Sequence, residues 1–502
     1  MAFIRKVKTS SGATAVQIAY KEYGRIIKIE HIGSAHNEAD LSTLLSLAKE
    51  RTLGRQLSLL PGAPEPLGVR LKRSYSRLLH DSLMGIYSEL GFNELSDETF
   101  AALCIARLVE PTSKLDSIRV LEGLGISPPS NTSIHRCLKR IIKDKYQDKL
   151  SKLCFAYASR GRGISLVLYD VTTLYFEAQK EDEDIDTGYG TSPGFRKSGM
   201  SKERRLDPQI VVGLLVDQNG FPLELHSFEG DKAETKTIVP VIDAFKARHG
   251  LVGLTVVADA GMLSADNLSQ LALAGYTYIV GSRMSKIPYD IAEYQKSADL
   301  ADGQIVTSST KVVGQRVIYQ YRTKRAALDL RNIGKQIEKA ERIISGKSAQ
   351  KKAKFLQVKT EGKFTSLNQD LVAKAKALAG IKGYVTNLPE TDHEASNAHV
   401  ISHYHQLWRV EQSFRMSKSD LKARPIFHHT KQAIEAHLTV VLAALAVTRY
   451  IEQKAGISLK KLVNLLQPIR NGTVTINGHE YQAEPEIPKA VEELLEKLGV
   501  GH

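Results

Sequence analysis

Two aspartates and a glutamate, far apart in the chain, are the residues whose types and placement suggest chemistry. Asp170 closes the apolar run ISLVLYD and Asp259 closes the run LTVVADA. Glu411 lies in the helical stretch YHQLWRVEQSFRMSK, between Arg409 and Arg415. Short apolar runs of this kind read as buried strands, and parallel neighbours in a sheet bring their carboxyl ends to one edge. Carboxylates converging there repel one another unless a cation neutralises them. An oxygen-only donor set suits a hard ion, Mg²⁺ or Mn²⁺. Two such ions, about 3.5–4 Å apart, activate an attacking hydroxyl and stabilise a leaving oxygen at phosphorus. Glu411, delivered from a helix lying across the sheet, completes the set of three. The plainer readings are a turn or cap role for each aspartate and a surface ion pair for Glu411.

Other chemistries have less support. Cys104, Cys137 and Cys154 show no CxxC spacing, which argues against a thiolate metal site or a disulfide framework. His403, His405, His428 and His429 form no HExxH motif, and neither GxGxxG nor GxxxxGK[ST] occurs, so zinc hydrolysis and nucleotide-driven chemistry lack a motif. The 69 Lys and Arg against 55 Asp and Glu give a net charge of +14, which favours a polyanionic partner, above all nucleic acid. The opening MAFIRKVKTSSG has no continuous apolar core of a secretory signal. The apolar run LTVVLAALAV is too short for a membrane span and predicts a buried helix. The expectation is a cytoplasmic protein that does not engage membranes.

The elements that must position the three carboxylates follow from periodicity. Residues 1–60 alternate apolar and polar positions as a small β-containing region, with a turn near Gly24. Residues 61–160 open on PGAPEPLG and turn helical, and are expected to form a helical DNA-end-binding domain. Within them Thr132 or Ser133 is placed to cap a helix whose Ile134, Leu138 and Ile141 face a core. That leaves Arg136, Lys139 and Arg140 outward, either as a solvated face or as a DNA-contacting one. Residues 161–284 read as three strands, a helix, a strand, a helix and a strand, the order of a ribonuclease-H-like mixed α/β sheet. Residues 285–395 read as an inserted strand-rich domain with a basic helix from Lys324 to Ile344, and 396–455 return to the core with Glu411. Residues 456–502 form a tail that can serve in dimerisation.

With these motifs together, the chain resembles the DDE transposases of bacterial insertion sequences, in the cut-and-paste branch with a tyrosine-arginine-glutamate-lysine signature. LVLYDVTTLYFE around Asp170 resembles the first acidic motif and VVADAGM around Asp259 the second. Tyr404, Glu411 and Lys418 occupy three signature places, while Leu407 stands where the arginine is expected. The resemblance implies that Asp170, Asp259 and Glu411 are catalytic and hold two Mg²⁺ or Mn²⁺ ions. It implies double-stranded DNA with terminal inverted repeats as substrate, target DNA as acceptor, a synaptic homodimer, and a route through a hairpin intermediate.

Around that site Tyr404, Arg409, Arg415 and Lys418 are candidate DNA contacts. So are Arg196, Lys197, Lys202, Arg204 and Arg205, in a Gly- and Ser-rich stretch that reads as a flexible loop. A hairpin route needs an aromatic partner for an unstacked base. The resemblance puts that partner in the insertion, where Tyr319 and Tyr321 are the candidates, against a default of cross-strand packing. Two alternatives stand beside the transposase: a ribonuclease-H-like nuclease without strand transfer, and an inactive DNA-binding protein on the same scaffold.

Overall fold

The computed structural model describes residues 2–9, 12–22, 24–53, 69–161, 163–177, 180–186, 191–200, 207–251, 253–261, 264–282, 300–347, 353–358, 364–390, 396–476 and 478–500. The chain divides into two compact units.

The smaller unit gathers residues 1–79, 123–125 and 463–491. Strands Ala2–Lys8, Thr14–Glu22 and Arg25–Ala35 form an antiparallel meander. Alternation puts Val16 and Ile18 on one face, where Ala48 of helix Glu38–Leu53 closes a small core. A second three-stranded sheet pairs Arg70–Tyr75 with Asn471–Ile476, and the latter with His479–Ala483. Much of the tail, expected as a separate element, thus completes a sheet begun by the N-terminal region. Without Arg70–Tyr75, the hairpin of Asn471–Ile476 and His479–Ala483 would leave an edge of Asn471–Ile476 unpaired.

The larger unit holds the candidate chemistry. Five helices come first: α1 (Arg77–Glu89), α2 (Glu98–Val109), α3 (Asp116–Gly123), α4 (Asn131–Lys143) and α5 (Tyr146–Ala158). The residues from His80 on therefore pack as part of the unit that carries the main sheet, not as a domain of their own. The cap of α4 is Ser130, whose hydroxyl accepts from the Ser133 N–H at 3.1 Å, two or three residues before the positions expected. Ile134, Cys137, Leu138 and Ile141 are its buried face.

Among the described residues the main sheet has eight strands. They are β1 (Leu166–Tyr175), β2 (Gln209–Asp217), β3 (Pro222–Glu229), β4 (Thr255–Ala258), β5 (Thr277–Ser282), β6 (Ile305–Ser309), β7 (Arg316–Tyr321) and β8 (Ile381–Thr386). Their order is β6-β7-β8-β5-β4-β1-β2-β3. Central β5, β4 and β1 are mutually parallel, and every other pairing is antiparallel. The run β3-β2-β1-β4-β5 is consistent with a ribonuclease-H-like core. Helix α6 (Ile238–His249) joins β3 to β4, and α7 (Ala265–Leu273) joins β4 to β5. Strands β6, β7 and β8, expected in a separate inserted domain, extend this same sheet. The open edge of β5 supplies the reason: β8 pairs along it from Ile279 to Ser282 and buries it. Among the described residues of this segment, α8 (Thr323–Ile344), α9 (Gln369–Ala377) and the small hairpin Leu356–Val358 with Phe364–Leu367 stand off the sheet, around Ile333, Phe355 and Val372.

Helices α10 (Asn397–His405), α11 (Trp408–Arg415) and α12 (Lys431–Ala455) follow in the same unit. Nearly every residue of α12 from Ile434 to Ile451 is buried. It is the one helix among the described residues long and apolar enough to cross a membrane, and 94% of its most apolar window lies inside the protein. At about 1.5–3 kcal/mol for each large apolar side chain withdrawn from water, this helix is a principal source of stability. Thr430 caps its start and Gly456, at φ 67°, ends it.

Candidate active site

The parallel register fixes the first two carboxylates. Strand β4 pairs with β1 from Thr255 opposite Leu166 to Ala258 opposite Tyr169. Asp259 and Asp170 are the next residues after the last pair, and both line the same cavity. Asp170 does not end its strand, as expected, but lies midway along it. Beyond Ala258 the partner β4 departs, while β2 stays paired with β1 as far as Tyr175 opposite Gln209. From Leu166 to Leu174 every residue is buried except Asp170. A carboxylate opens to solvent in an otherwise buried stretch of strand where one neighbouring strand stops.

Glu411 comes from α11, which is clamped at its back. Buried Arg449 of α12 donates to the Gly220 carbonyl at 2.9 Å and the Arg409 carbonyl at 3.1 Å, and pairs with Glu452 at 2.5 Å. Ser413 of α11 donates to the same Gly220 carbonyl at 3.2 Å. Gly220, at φ 82°, makes the β2–β3 turn, and a Cβ there would collide with the Arg449 guanidinium. Glycine is required for both reasons. The helix read as continuous from Tyr404 onward is interrupted at Gln406 and Leu407 by tighter hydrogen bonds three residues apart, Leu407 N to Tyr404 O at 3.1 Å and Val410 N to Leu407 O at 3.0 Å. A π-helical turn, Met416–Asp420, follows α11.

The three carboxylates line one cavity of about 310 Å³, with Lys382, Tyr404, His405, Leu407 and Trp408. Tyr404 donates to Asp259 Oδ1 at 2.6 Å and stands edge-on against Tyr384 at 5.0 Å. Its hydroxyl reaches the aspartate by passing over Gly281, where a Cβ would lie 2.5 Å from that oxygen. The Lys382 ammonium sits 4.3 Å from the centre of the Tyr404 ring. Burial pushes its pKa down, helped by Arg325, while Asp259 and Glu411 pull the other way. Burial also raises the Tyr404 phenol, reinforced by Asp259, so it stays a donor. Burial, with the charges of Lys382, Arg322 and Arg325, lowers His405, which is neutral at pH 7.

The donor chemistry of this cavity fits a hard divalent ion: three carboxylates, no thiolate, and one neutral imidazole beside them. Among the described residues no three His, Cys, Asp or Glu side chains are drawn together as a ready-made ligand cluster. The carboxylates share a cavity whose interior charge is balanced in part by Lys382.

The expected DNA contacts disperse. Arg415 is exposed. The π turn carries Lys418 to a different, small cavity under Thr172 and Leu174, not to the face of Glu411. Arg409 donates to the Asn219 carbonyl at 3.2 Å and lies over the Trp408 ring at 5.2 Å. Arg196 is paired with Asp182 at 2.5 Å and Lys197 with Asp184 at 2.7 Å, so the acidic half of that loop holds its first two basic residues. Lys202, Arg204 and Arg205 lie outside the described residues. Arg136 and Lys139 are exposed, whereas Arg140 makes a two-pronged contact with the buried Asp97 at 2.7 and 3.0 Å. Tyr319 is 7% exposed and packs with Ile381 and Tyr321, the cross-strand reading. Three cavity residues escaped the sequence reading: Lys382, His405 and Trp408. The period of two along IKGYVT, which puts Lys382 and Tyr384 on one face, was the available signal for the lysine.

A family model described as a transposase DDE domain matches residues 161–447. A search of the curated proteins gives no match. Among solved structures the chain is similar to the piggyBac transposase in a synaptic complex with hairpin DNA, with a TM-score of 0.40, 10% identity, and coverage of 78% of this chain and 79% of that chain. It is also similar to the Mos1 transposase in a paired-end complex with the left transposon end, with a TM-score of 0.16, 9% identity, and coverage of 47% and 66%. The family match spans Asp170, Asp259 and Glu411 and more than half of the chain, which belongs to the DDE-domain transposases.

Proposed function

We propose that this protein cuts the ends of a bacterial insertion sequence from double-stranded DNA and joins them to target DNA, with Asp170, Asp259 and Glu411 as its catalytic carboxylates. The observation that carries the reading is the meeting of these three residues, from three distant segments of a DDE-family chain, around one cavity. Divalent cations, Mg²⁺ or Mn²⁺, would be held by these carboxylates and supply activation of the attacking hydroxyl and neutralisation of charge at phosphorus.

The chain's own residues then have definite tasks. Tyr404 holds Asp259 in one rotamer through its 2.6 Å hydrogen bond. Leu407 occupies the signature place of an arginine, and Lys382 brings a cation into the same cavity from β8, where it would face the DNA phosphate. Trp408, 54% exposed at the rim, is the aromatic surface for a terminal base turned out of the stack during hairpin formation. It takes the place proposed from sequence for Tyr319 and Tyr321. Two copies work on paired ends in a synaptic homodimer, in the cytoplasm, with the helical N-terminal segment contributing to end recognition.

The test is incubation with the terminal inverted repeats that flank the gene, plus target DNA. The expected products are released ends, hairpins and joined strands, all lost when EDTA removes the divalent ion. Trp408→Ala is expected to nick normally but to lower hairpin yield about tenfold or more, the scale of one lost base–aromatic stack. Cleavage without joining would favour the nuclease alternative. Metal-independent products would overturn the proposed chemistry.

A further inference from the structure

A second and larger cavity, about 560 Å³, lies in the same unit between the loop after α2, the start of α4 and the segment that follows the π turn. Its walls carry Arg107, Lys114, Lys422 and Arg424, and no Asp or Glu is among the residues lining it. Arg107 is fixed by donating to the Leu421 and Lys422 carbonyls at 3.2 and 3.3 Å. The half-buried Lys114 ammonium lies 3.1 Å from His428 Nδ1. Burial and the surrounding cations push His428 down to about 4, so its ring is neutral and accepts that bond. Burial, with Arg107 nearby, pushes the Lys114 ammonium down to about 8, and an anion entering the hollow would offset the repulsion among these cations. The same hollow is lined by two large apolar side chains that remain open to solvent, Phe427 at 70% and Leu115 at 63%. Cations that fix a phosphate beside an exposed aromatic face are the two elements of single-strand nucleic-acid recognition.

Its place in the fold ties it to the active site. The Arg424 guanidinium lies 5.5 Å from the Tyr175 ring, and the Ile426 N–H donates to the Tyr175 carbonyl at 3.3 Å. Tyr175 is five residues beyond Asp170 on β1, roughly 17 Å at the rise of an extended strand. That distance corresponds to about five nucleotides at 3.4 Å per step.

We propose that this cavity is a second DNA subsite, which holds a backbone phosphate with Lys114, Lys422 and Arg424 and seats the unstacked base of that nucleotide against Phe427, about five nucleotides from the bond at Asp170. The inference rests on the reading of the chain as a transposase acting on DNA.

The test uses the full chain and end DNA carrying 2-aminopurine at successive positions from the cleaved bond, with Phe427→Ala and the double variant Lys114→Gln, Lys422→Gln. The wild type is expected to brighten the probe near the fifth position, and Phe427→Ala to abolish that signal. The double variant is expected to bind end DNA about tenfold more weakly, with the salt slope of binding reduced by about two. Thermal melts of both variants like the wild type exclude misfolding. A wild type that cleaves its ends, with variants that match it in fluorescence, affinity and salt slope, overturns the subsite and leaves the transposase reading standing. A wild type that binds no end DNA overturns both. A free mononucleotide that competes as strongly as end DNA identifies a small-molecule site and also overturns the proposal.

Discussion

Glu411→Gln is expected to abolish end cleavage while leaving DNA binding within a few-fold of the wild type. The substitution keeps the shape of the side chain and removes its charge. Glu411 is exposed on the cavity side of α11, and the clamp that holds this helix runs through Arg409, Ser413 and Arg449. Folding therefore does not depend on the carboxylate. The proposed chemistry does. A group that acts directly on charge developing in the transition state is worth at least about 10³ in rate when removed. Gel-shift affinity and single-turnover cleavage on the same DNA separate the two effects. Turnover within tenfold of the wild type would move the third carboxylate role elsewhere.

The second large effect concerns stability. Asp97 caps α2 by accepting from the Phe100 N–H at 3.0 Å, receives Arg140 through two contacts, and accepts from the Tyr146 hydroxyl at 2.9 Å. Its side chain is only 3% exposed. Asp97→Asn keeps a cap but leaves Arg140 facing an amide that cannot take both its donors. A loss of about 3 kcal/mol is expected, combining a weakened cap and a broken buried charge contact.

The pH dependence carries the sign. Burial pushes the Asp97 carboxyl up, but the hydrogen bonds from Arg140, Phe100 and Tyr146 outweigh it and leave the folded-state pKa below the ordinary value. A carboxyl depressed in the folded state contributes its full stability above the unfolded value, near 4. That contribution is lost as the pH falls through the folded value. Chemical unfolding of wild type and variant should therefore differ most between pH 5 and 7. The gap should shrink as the pH is lowered from 4 towards 3. A gap that widens on acidification would contradict this account of Asp97.

Much of the core was legible because its signals were local. The strand runs at Asp170 and Asp259, the Asn219–Gly220 turn and the buried helix over Leu438–Val447 each follow from short-range pattern and turn chemistry. What was not legible depended on pairing between distant segments. Nothing within residues 305–386 states that β6, β7 and β8 will complete the edge of β5, and nothing in the tail states that Asn471–Ile476 will pair with Arg70–Tyr75. At the site, the three carboxylates that line the cavity were named from two aspartates expected at strand ends together with the family resemblance. The sequence reading missed Lys382, since the period of two along its strand gives the lysine a face but not the Tyr404 ring and two acids that fold around it. It overstated the free basic residues. Arg140 and Arg196 look available in one dimension and are each bound to an aspartate in three.

If Asp170, Asp259 and Glu411 hold a divalent ion together, all three must lie within reach of chemistry generated at that ion. Replacing Mg²⁺ by Fe²⁺ and generating hydroxyl radicals at the bound ion reports this directly, because the backbone is cut next to the residues that hold it. Three cuts are predicted, near 170, 259 and 411, all suppressed together by excess Mg²⁺. Cuts confined to one of these segments, or Mg²⁺-sensitive cuts elsewhere in the chain, would contradict it.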